Sequence, residues 1–158
     1  MKKRFPIYVI LDNIRSALNV GAIFRTCDAV RVSHLYLCGI TCYPPHNRIP
    51  KTALGAIDTV PWSHVSSTER AIDQLKIIND QCAIITVEKT ASSKSIWDYY
   101  FKFPTALVFG NEISGVEKGI IKKSDAVVKI PMFGKKESLN VATSCGVVLY
   151  EIARQYHD

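Results

Sequence analysis

Short apolar runs separated by longer mixed segments predict a chain in which strands and helices alternate. The strand-like runs cover residues 5–11, 34–38, 82–87, 105–109 and 126–130. Apolar residues at helical spacing predict a helix over 16–30, and shorter helices are predicted over 68–79 and 116–123. This order favours an α/β fold with a mainly parallel sheet and helices on both faces.

Three segments are less regular. Residues 39–50 are loop-like, 51–56 are predicted to form one or two helical turns, and the aromatic segment 96–103 is predicted to form a short helix. The helix over 68–79 opens with Thr68 and Glu69, a pair typical of a helix N-terminus. Gly21 lies inside the first helix, where glycine costs about 1 kcal/mol relative to alanine. A close approach of another backbone is therefore expected at Gly21.

The last third of the chain combines a strand, a bent loop and a strongly apolar helix. Pro131 removes a backbone donor from the loop, and Gly134 permits a positive φ. Ser138 occupies a position typical of a helix N-cap. The helix that follows is apolar on nearly all sides, which indicates burial against other elements or another subunit. Such a segment can hold a small molecule, but core packing alone explains its apolar residues equally well.

The ends of the predicted strands point to one place for a ligand. Ligands of open parallel sheets bind beyond the carboxyl ends of the strands. Three loops follow apolar strands in this chain: one after Val87, one at 110–112 and one at 131–137. We expect these three loops to form the walls of a single pocket.

Composition narrows the class of protein. With 158 residues, 47% hydrophobic and 22% charged, the chain is typical of one globular domain. It has no apolar run of membrane-spanning length and no signal-peptide core, so we expect a cytoplasmic protein without a membrane partner. The five cysteines lack a C-x-x-C pair, which favours reduced thiols. The four histidines lack metal-ligand spacing, so no metal site is expected.

A net charge of +6 favours a polyanionic partner without establishing one, because solvated basic faces are common. For most of the basic clusters, a solvated surface is the commoner explanation. Lys135 and Lys136 differ because they lie inside the loop of the C-terminal strand-loop-helix segment.

Three motifs occur in order along the chain: N-V-G-A-I-F-R-T-C-D-A at 19–29, V-F-G-N-E-I-S-G at 108–115, and the stretch 130–151, which begins I-P-M-F-G-K-K-E-S-L-N. They resemble the three signature motifs of the SpoU (TrmH-type) RNA ribose methyltransferases of the SPOUT superfamily, over almost the whole chain. The resemblance implies S-adenosyl-L-methionine as cofactor and a ribose 2′-hydroxyl of tRNA or rRNA as methyl acceptor. It also implies a homodimer with composite active sites and a C-terminal deep trefoil knot.

The resemblance further implies which residues form the site. Arg25 matches the family's catalytic arginine and Asn19 its active-site asparagine, while Glu112, Ser138 and Asn140 match the remaining polar positions. We expect these five side chains to converge beside one methyl donor. The residues expected to line the cofactor pocket are Ile85, Thr86, Gly110, Ile130, Met132, Ser138 and Leu139.

Two roles remain open for Arg25. The mechanism proposed for the family makes this arginine the base, yet a guanidinium keeps its charge in proteins and is a poor proton acceptor. Alternatively, Arg25 fixes the adjacent phosphate through paired hydrogen bonds and lowers the pKa of the hydroxyl through its charge.

The first predicted strand starts at residue 5 and the last helix ends near the C-terminus, so we expect a single domain over 1–158 without an appended RNA-binding domain. RNA would then be recognised by the surface of this domain. An alternative function is a non-catalytic RNA-binding or assembly factor that retains the fold, which the joint presence of the five polar residues disfavours. A small-molecule methyltransferase is disfavoured by the basic loops. The candidate phosphate contacts are Arg15, Arg31, Arg48, Lys51, Lys118 and Lys135.

Overall fold

A computed structural model describes residues 2–157 and contains a seven-stranded sheet with helices. All strand pairs are parallel, and the spatial order is β3-β2-β1-β6-β4-β7-β5. The parallel α/β prediction is confirmed. The elements are β1 (Phe5–Asp12), α1 (Ala17–Val30), β2 (Val32–Cys38), α2 (Pro50–Ala53), a 3₁₀ turn (Ala56–Asp58), β3 (Trp62–Val65), α3 (Thr68–Ile78), β4 (Ala83–Val87), β5 (Lys94–Ser95), β6 (Thr105–Phe109), α4 (Lys118–Lys123), β7 (Ala126–Lys129) and α5 (Val141–His157).

The two faces of the sheet pack against different helices. In β1, Val9 and Leu11 belong to the apolar cluster that contains the buried residues of α1 and α5, whereas Ile10 belongs to the cluster with α3 and α4. Successive side chains of a strand point to opposite faces, so this alternation buries both sides of β1. All five residues of β6 are buried, as expected for a central strand covered on both faces.

The aromatic segment 96–103 does not form the predicted helix. Its preceding residues form the two-residue strand β5 at the sheet edge, and the backbone N–H of Ile96 donates to the carbonyl oxygen of Lys129. Ile96 and Phe101 are buried, and the N–H of Phe101 donates to the side-chain oxygen of Gln155 in α5. The apolar residues of this segment therefore anchor an irregular connection to the core.

Helix α3 begins at Thr68, as predicted, but its cap is the residue before it. Ser67 is the N-cap, since its hydroxyl accepts a hydrogen bond from the N–H of Arg70. Thr68 is buried, and its hydroxyl donates to the carboxylate of Asp12 over 2.6 Å. Thr68 thus ties α3 to the end of β1 instead of capping the helix.

Helix α5 begins at Val141, three residues after the predicted cap. The side-chain oxygen of Asn140 accepts hydrogen bonds from the N–H groups of Ala142 and Thr143, over 2.9 and 3.2 Å. Asn140 is therefore the N-cap. The prediction that Ser138 caps this helix is wrong, because the loop continues for two more residues before the helical turn begins.

Gly21 lies where α1 crosses the segment around α2. A Cβ atom on Gly21 would overlap the hydroxyl of Thr52 and the carbonyl oxygen of Ile49. The hydroxyl of Thr52 also donates to the carbonyl oxygen of Leu18 over 2.8 Å, which holds the two segments together. The structure thus has the close backbone approach that a glycine inside this helix predicts.

We expect Gly21→Ala to lower the free energy of unfolding by about 1–3 kcal/mol, because the backbone of Ile49 cannot move aside without disturbing α2. Alanine's better helix propensity offsets at most about 1 kcal/mol of this. Urea denaturation monitored by circular dichroism measures the change. Gly119→Ala in α4 is the matched control, since nothing lies within 4 Å of an added Cβ there. Equal stabilities for the two variants would contradict the prediction.

Candidate functional site

A cavity of about 330 Å³ lies at the carboxyl ends of β4, β6 and β7. Its walls are formed by the residues that follow these three strands and by the start of α5. These are the three loops that the sequence places around one pocket. The volume falls at the lower end of the roughly 300–1,000 Å³ typical of small-molecule sites.

Five of the seven residues predicted to contact the cofactor line this cavity: Gly110, Ile130, Met132, Ser138 and Leu139. The other two do not, and this part of the prediction is corrected. Ile85 and Thr86 are fully buried inside β4, where the hydroxyl of Thr86 lies 2.5 Å from that of Ser124. Only the last residue of the strand and those after it reach the cavity, so its wall on this side is formed by Val87, Glu88 and Lys89.

The loop after β6 is closed on itself by backbone hydrogen bonds. The N–H of Asn111 donates to the oxygen of Gly115 over 3.1 Å, and the reverse bond measures 2.9 Å. The side chain of Asn111 donates to the carbonyl oxygen of Asn13 over 2.7 Å and accepts from two N–H groups of its own loop. A Cβ on Gly110 would overlap the backbone of Gly115. Gly110 is therefore required for this compact backbone rim.

Glu112 connects this loop to the start of α1. Its carboxylate accepts hydrogen bonds from the backbone N–H groups of Arg15 and Ser16, over 2.9 and 3.0 Å, and from the amide of Asn19 over 3.1 Å. The side-chain oxygen of Asn19 in turn accepts from the amide of Asn140 over 3.1 Å. Three predicted catalytic residues thus form one hydrogen-bonded chain beside the cavity.

The hydrogen bonds to Glu112 set its protonation state. Partial burial raises the pKa of this carboxyl, but hydrogen bonds from the backbone of Arg15 and Ser16 and from Asn19 outweigh that effect, and the pKa lies below its ordinary value. Glu112 is therefore ionised at neutral pH. Because its oxygens already accept these bonds, the group is better suited to fixing α1 than to taking a proton.

Ser138 lies on the cavity wall and is exposed. Asn140 caps α5, so the hydroxyl of Ser138 is not used in the helix cap. The loop before Ser138 does not use the positive φ that Gly134 permits. Among residues 2–157, the glycines with positive φ are Gly39, Gly55 and Gly115. An ion pair of 3.7 Å between Lys89 and Glu137 joins two walls of the cavity at its exposed rim.

Two residues of the site, Asn111 and Glu88, were not predicted from the sequence. Asn111 shapes the rim, and Glu88 accepts hydrogen bonds from the N–H groups of Lys89 and Val116. An added Cβ on Gly115 would overlap the carboxylate of Glu88. An acidic residue directly after a buried strand is the signal that could have identified Glu88.

Arg25 lies outside the cavity of its own chain. It is an exposed residue of α1, six positions after Asn19 and hence about 9 Å further along the helix and turned by about 120°. In residues 2–157 it has no ion pair. Within one chain the expected convergence of five side chains is therefore incomplete: Asn19, Glu112, Ser138 and Asn140 come together, and Arg25 does not.

The residues predicted to contact phosphate do not all lie on one surface. Arg31 is half-buried at the amino end of the sheet, where its guanidinium lies 4.8 Å from the ring centre of Phe5. The length of β1, about 25 Å, separates that end from the cavity. Lys135 lies in the loop at the cavity rim. The exposed members of the predicted set are Arg15, Arg48, Lys51, Lys118 and Lys135.

Among the described residues, the cysteines and the side chains that could bind a metal do not form a second site. All five cysteines are free; burial raises the pKa of Cys27, which lies beside Cys145 between α1 and α5. In the part of the chain that is described, no three His, Cys, Asp or Glu side chains could hold a metal ion. Across the same residues no helix combines the length and apolarity that a membrane span requires.

The chain is 31% identical over 156 residues to the tRNA (guanosine(18)-2′-O)-methyltransferase of Aquifex aeolicus, covering 98% of this chain and 72% of that enzyme. It is 35% identical over 152 residues to the 23S rRNA (guanosine-2′-O-)-methyltransferase of Neisseria meningitidis, covering 95% of this chain and 59% of the relative.

The fold is similar to that of the SpoU methyltransferase AviRb from Streptomyces viridochromogenes in complex with the cofactor AdoMet. The TM-score is 0.87 at 26% identity, over 98% of this chain and 59% of AviRb. The chain thus spans about three fifths of AviRb and of the Neisseria relative. The model of the SpoU rRNA Methylase family matches residues 6–150. The chain belongs to the SpoU rRNA Methylase family.

Proposed function

We propose that this protein is an S-adenosyl-L-methionine-dependent methyltransferase that acts on a ribose 2′-hydroxyl of tRNA or rRNA. The observation that supports this most directly is the hydrogen-bonded chain from Glu112 through Asn19 to Asn140 beside a cavity at the carboxyl ends of three strands. Membership of the SpoU family and the names of the two relatives, one a tRNA and one an rRNA 2′-O-methyltransferase, point to the same reaction.

The cavity has the composition that this cofactor needs. Ile130, Met132 and Leu139 offer apolar surface for a nucleoside, and Gly110, which packs against the backbone of Gly115, contributes backbone to the wall. The carboxylates of Glu88, Glu112 and Glu137 line the same cavity together with Lys89 and Lys129, so its wall offers groups of both signs to a ligand that carries a positive sulfur and a carboxylate. When bound, S-adenosyl-L-methionine supplies a methyl group already activated by its positive sulfur.

The chain's own residues then have two tasks, which are to position the ribose and to help its hydroxyl lose a proton. Ser138 offers a hydroxyl at the wall, and Asn19 and Asn140 are fixed beside it. Glu112 is a poor base because its pKa is lowered and its oxygens are occupied. We therefore assign Glu112 to holding α1 in place, and Arg25 to the RNA, where its charge favours a deprotonated hydroxyl.

We propose that the protein acts as a homodimer in which Arg25 of each subunit completes the cavity of the other. The position of Arg25 outside its own cavity requires such an arrangement if it is to reach the reacting ribose. The surface of α1 and α5 supports it: Leu18, Val147 and Tyr150 are 38%, 40% and 58% exposed. Exposed apolar residues on adjacent helices are typical of a contact surface.

We also infer that the C-terminal segment is threaded as a deep trefoil knot. Strand β7 lies between β4 and β5, but the following helix α5 packs against α1 on the far side of the sheet centre. The connecting loop 131–140 shares the cavity with the loops after β4 and β6, which supports a path that crosses them. A crystal structure traced through residues 85–157 would establish whether the segment passes through or around them.

The proposed reaction predicts that label from S-[methyl-³H]adenosylmethionine is transferred to RNA. The acceptor is total RNA from a strain of the source organism that lacks this gene. Nuclease digestion and chromatography should place the label in a single 2′-O-methylnucleoside, with none in RNA from the parent strain, which is already methylated. Cofactor binding and RNA binding without transfer would support the non-catalytic RNA-binding factor instead.

We expect Arg25→Lys to reduce single-turnover methyl transfer by at least about 100-fold, because the charge is kept while the paired donors of the guanidinium are lost. Cofactor affinity, measured by titration calorimetry, should be unchanged, because Arg25 does not line the cavity of its own chain and is assigned to the RNA in the other subunit's site. Arg70→Lys in α3, another exposed arginine, is the control and should keep full turnover. Near-normal transfer by Arg25→Lys would remove this residue from the mechanism.

Mixed dimers test whether the site is composite. We expect Leu139→Arg to block the cavity, so that neither this variant nor Arg25→Lys has appreciable activity when expressed alone. Co-expression of the two should restore roughly a quarter of wild-type activity, because half of the dimers are mixed and each mixed dimer has one intact site. If Arg25 served its own chain, no mixed dimer would contain an intact site and no activity would return.

A further inference from the structure

Trp97 and Phe133 form an exposed aromatic pair beside the cavity. Their ring centres are 5.7 Å apart with the planes inclined by 25°, and the residues are 64% and 83% exposed. We propose that the outer face of this pair, the aromatic platform, stacks an unpaired nucleobase of the RNA next to the nucleotide that is methylated. This inference rests on the proposed function and names a binding site for its substrate.

The platform is built from two separate loops. Trp97 follows β5, and its backbone N–H donates to the hydroxyl of Ser95 over 3.2 Å. Phe133 lies in the loop after β7, the strand with which β5 pairs. The pairing of Lys94 and Ser95 with β7 therefore fixes Trp97 where it supports the ring of Phe133. A supported ring is ready to stack, because less side-chain freedom is lost on binding.

The place of the platform relates it to the reaction. Met132, the neighbour of Phe133, lines the cavity, as does Ile130. A base that stacks on Phe133 therefore lies close to a ribose presented at the cavity mouth. Stacking of this kind is sequence-tolerant, since every base has an aromatic face.

The charges around the platform favour RNA over a second copy of the chain. Lys94 precedes Trp97 by three positions, and Lys135 and Lys136 follow Phe133; all three are exposed. In residues 2–157 none of these lysines is in an ion pair, whereas the nearby Glu137 pairs with Lys89. Lysine is depleted from the cores of protein interfaces. Basic side chains beside exposed aromatic rings are typical of single-strand nucleic-acid binding.

Tryptophan fluorescence can test the platform directly. The chain has two tryptophans, and Trp62 is half-buried in a T-shaped contact with Phe24, so Trp97, which stacks on Phe133, is the one whose emission reports a base bound to the pair. The probe is a random-sequence single-stranded RNA dodecamer, compared with a dodecamer of abasic nucleotides. We expect the RNA to quench the emission of the wild type but not of Trp97→Phe, and the abasic chain to quench neither.

Phe133→Ala should raise the Kd for the dodecamer about 10-fold, and Phe133→Tyr should restore it, because the loss of one stacked base weakens binding by this order. The dependence of Kd on salt should not change, since no phosphate contact is lost; Lys135→Gln should instead flatten it. Ile77→Ala, which removes an 85% exposed apolar side chain from α3, is the control and should bind like the wild type.

Three results would overturn the platform. They are the absence of quenching at saturating RNA, equal affinity of Phe133→Ala and the wild type, and conversion of the dimer to a monomer by Phe133→Ala in sedimentation velocity. The last would identify the pair as a subunit contact. Failure of the proposed function differs from all three, because it would appear as loss of cofactor binding or methyl transfer in the wild type itself.

Discussion

The site depends on the carboxylate of Glu112 and the three donors that converge on it. This one group joins the loop after β6 to the beginning of α1. Glu112 and its partner Asn19 are 93 residues apart in the sequence. Without it, the N-terminus of α1 would have unpaired N–H groups facing the cavity loop. A helix N-terminus favours an ionised carboxylate, so the local field stabilises the form of Glu112 that accepts these bonds.

The parallel sheet explains why distant motifs meet there. Parallel strands place all their carboxyl ends at one edge, so the loops after β4, β6 and β7 become neighbours although other elements separate them in sequence. Helix α5 then returns to α1, where Cys145 lies beside Cys27. The packing of these two helices sets the distance between Asn140 and Asn19, and the apolar core thereby positions the polar site.

Much of this organisation could be predicted from hydrophobic patterning, because buried strands and amphipathic helices have strong periodic signals. The failures have physical causes. The segment 96–103 is apolar because it is anchored to the core, not because it is helical. Ile85 and Thr86 match a motif but lie inside a strand, and sequence spacing does not show where the strand ends. The position of Arg25 outside the cavity of its own chain follows from three-dimensional packing, which a linear motif does not contain.

The amide of Asn140 explains why the polar chain has only one possible direction. As the N-cap of α5, its oxygen must accept from Ala142 and Thr143, so its nitrogen must donate to Asn19. Asn19 accepts with its oxygen and therefore donates with its nitrogen, and the carboxylate of Glu112 receives this bond. Burial raises the pKa of Glu112, but the backbone N–H groups of Arg15 and Ser16 bring it below its ordinary value, and the bond from Asn19 adds to their effect. Aspartate at position 140 would set two oxygens against each other, because a carboxylate has no N–H to donate to Asn19, so the cap of α5 and the hydrogen-bonded chain to Glu112 are coupled through a single side chain.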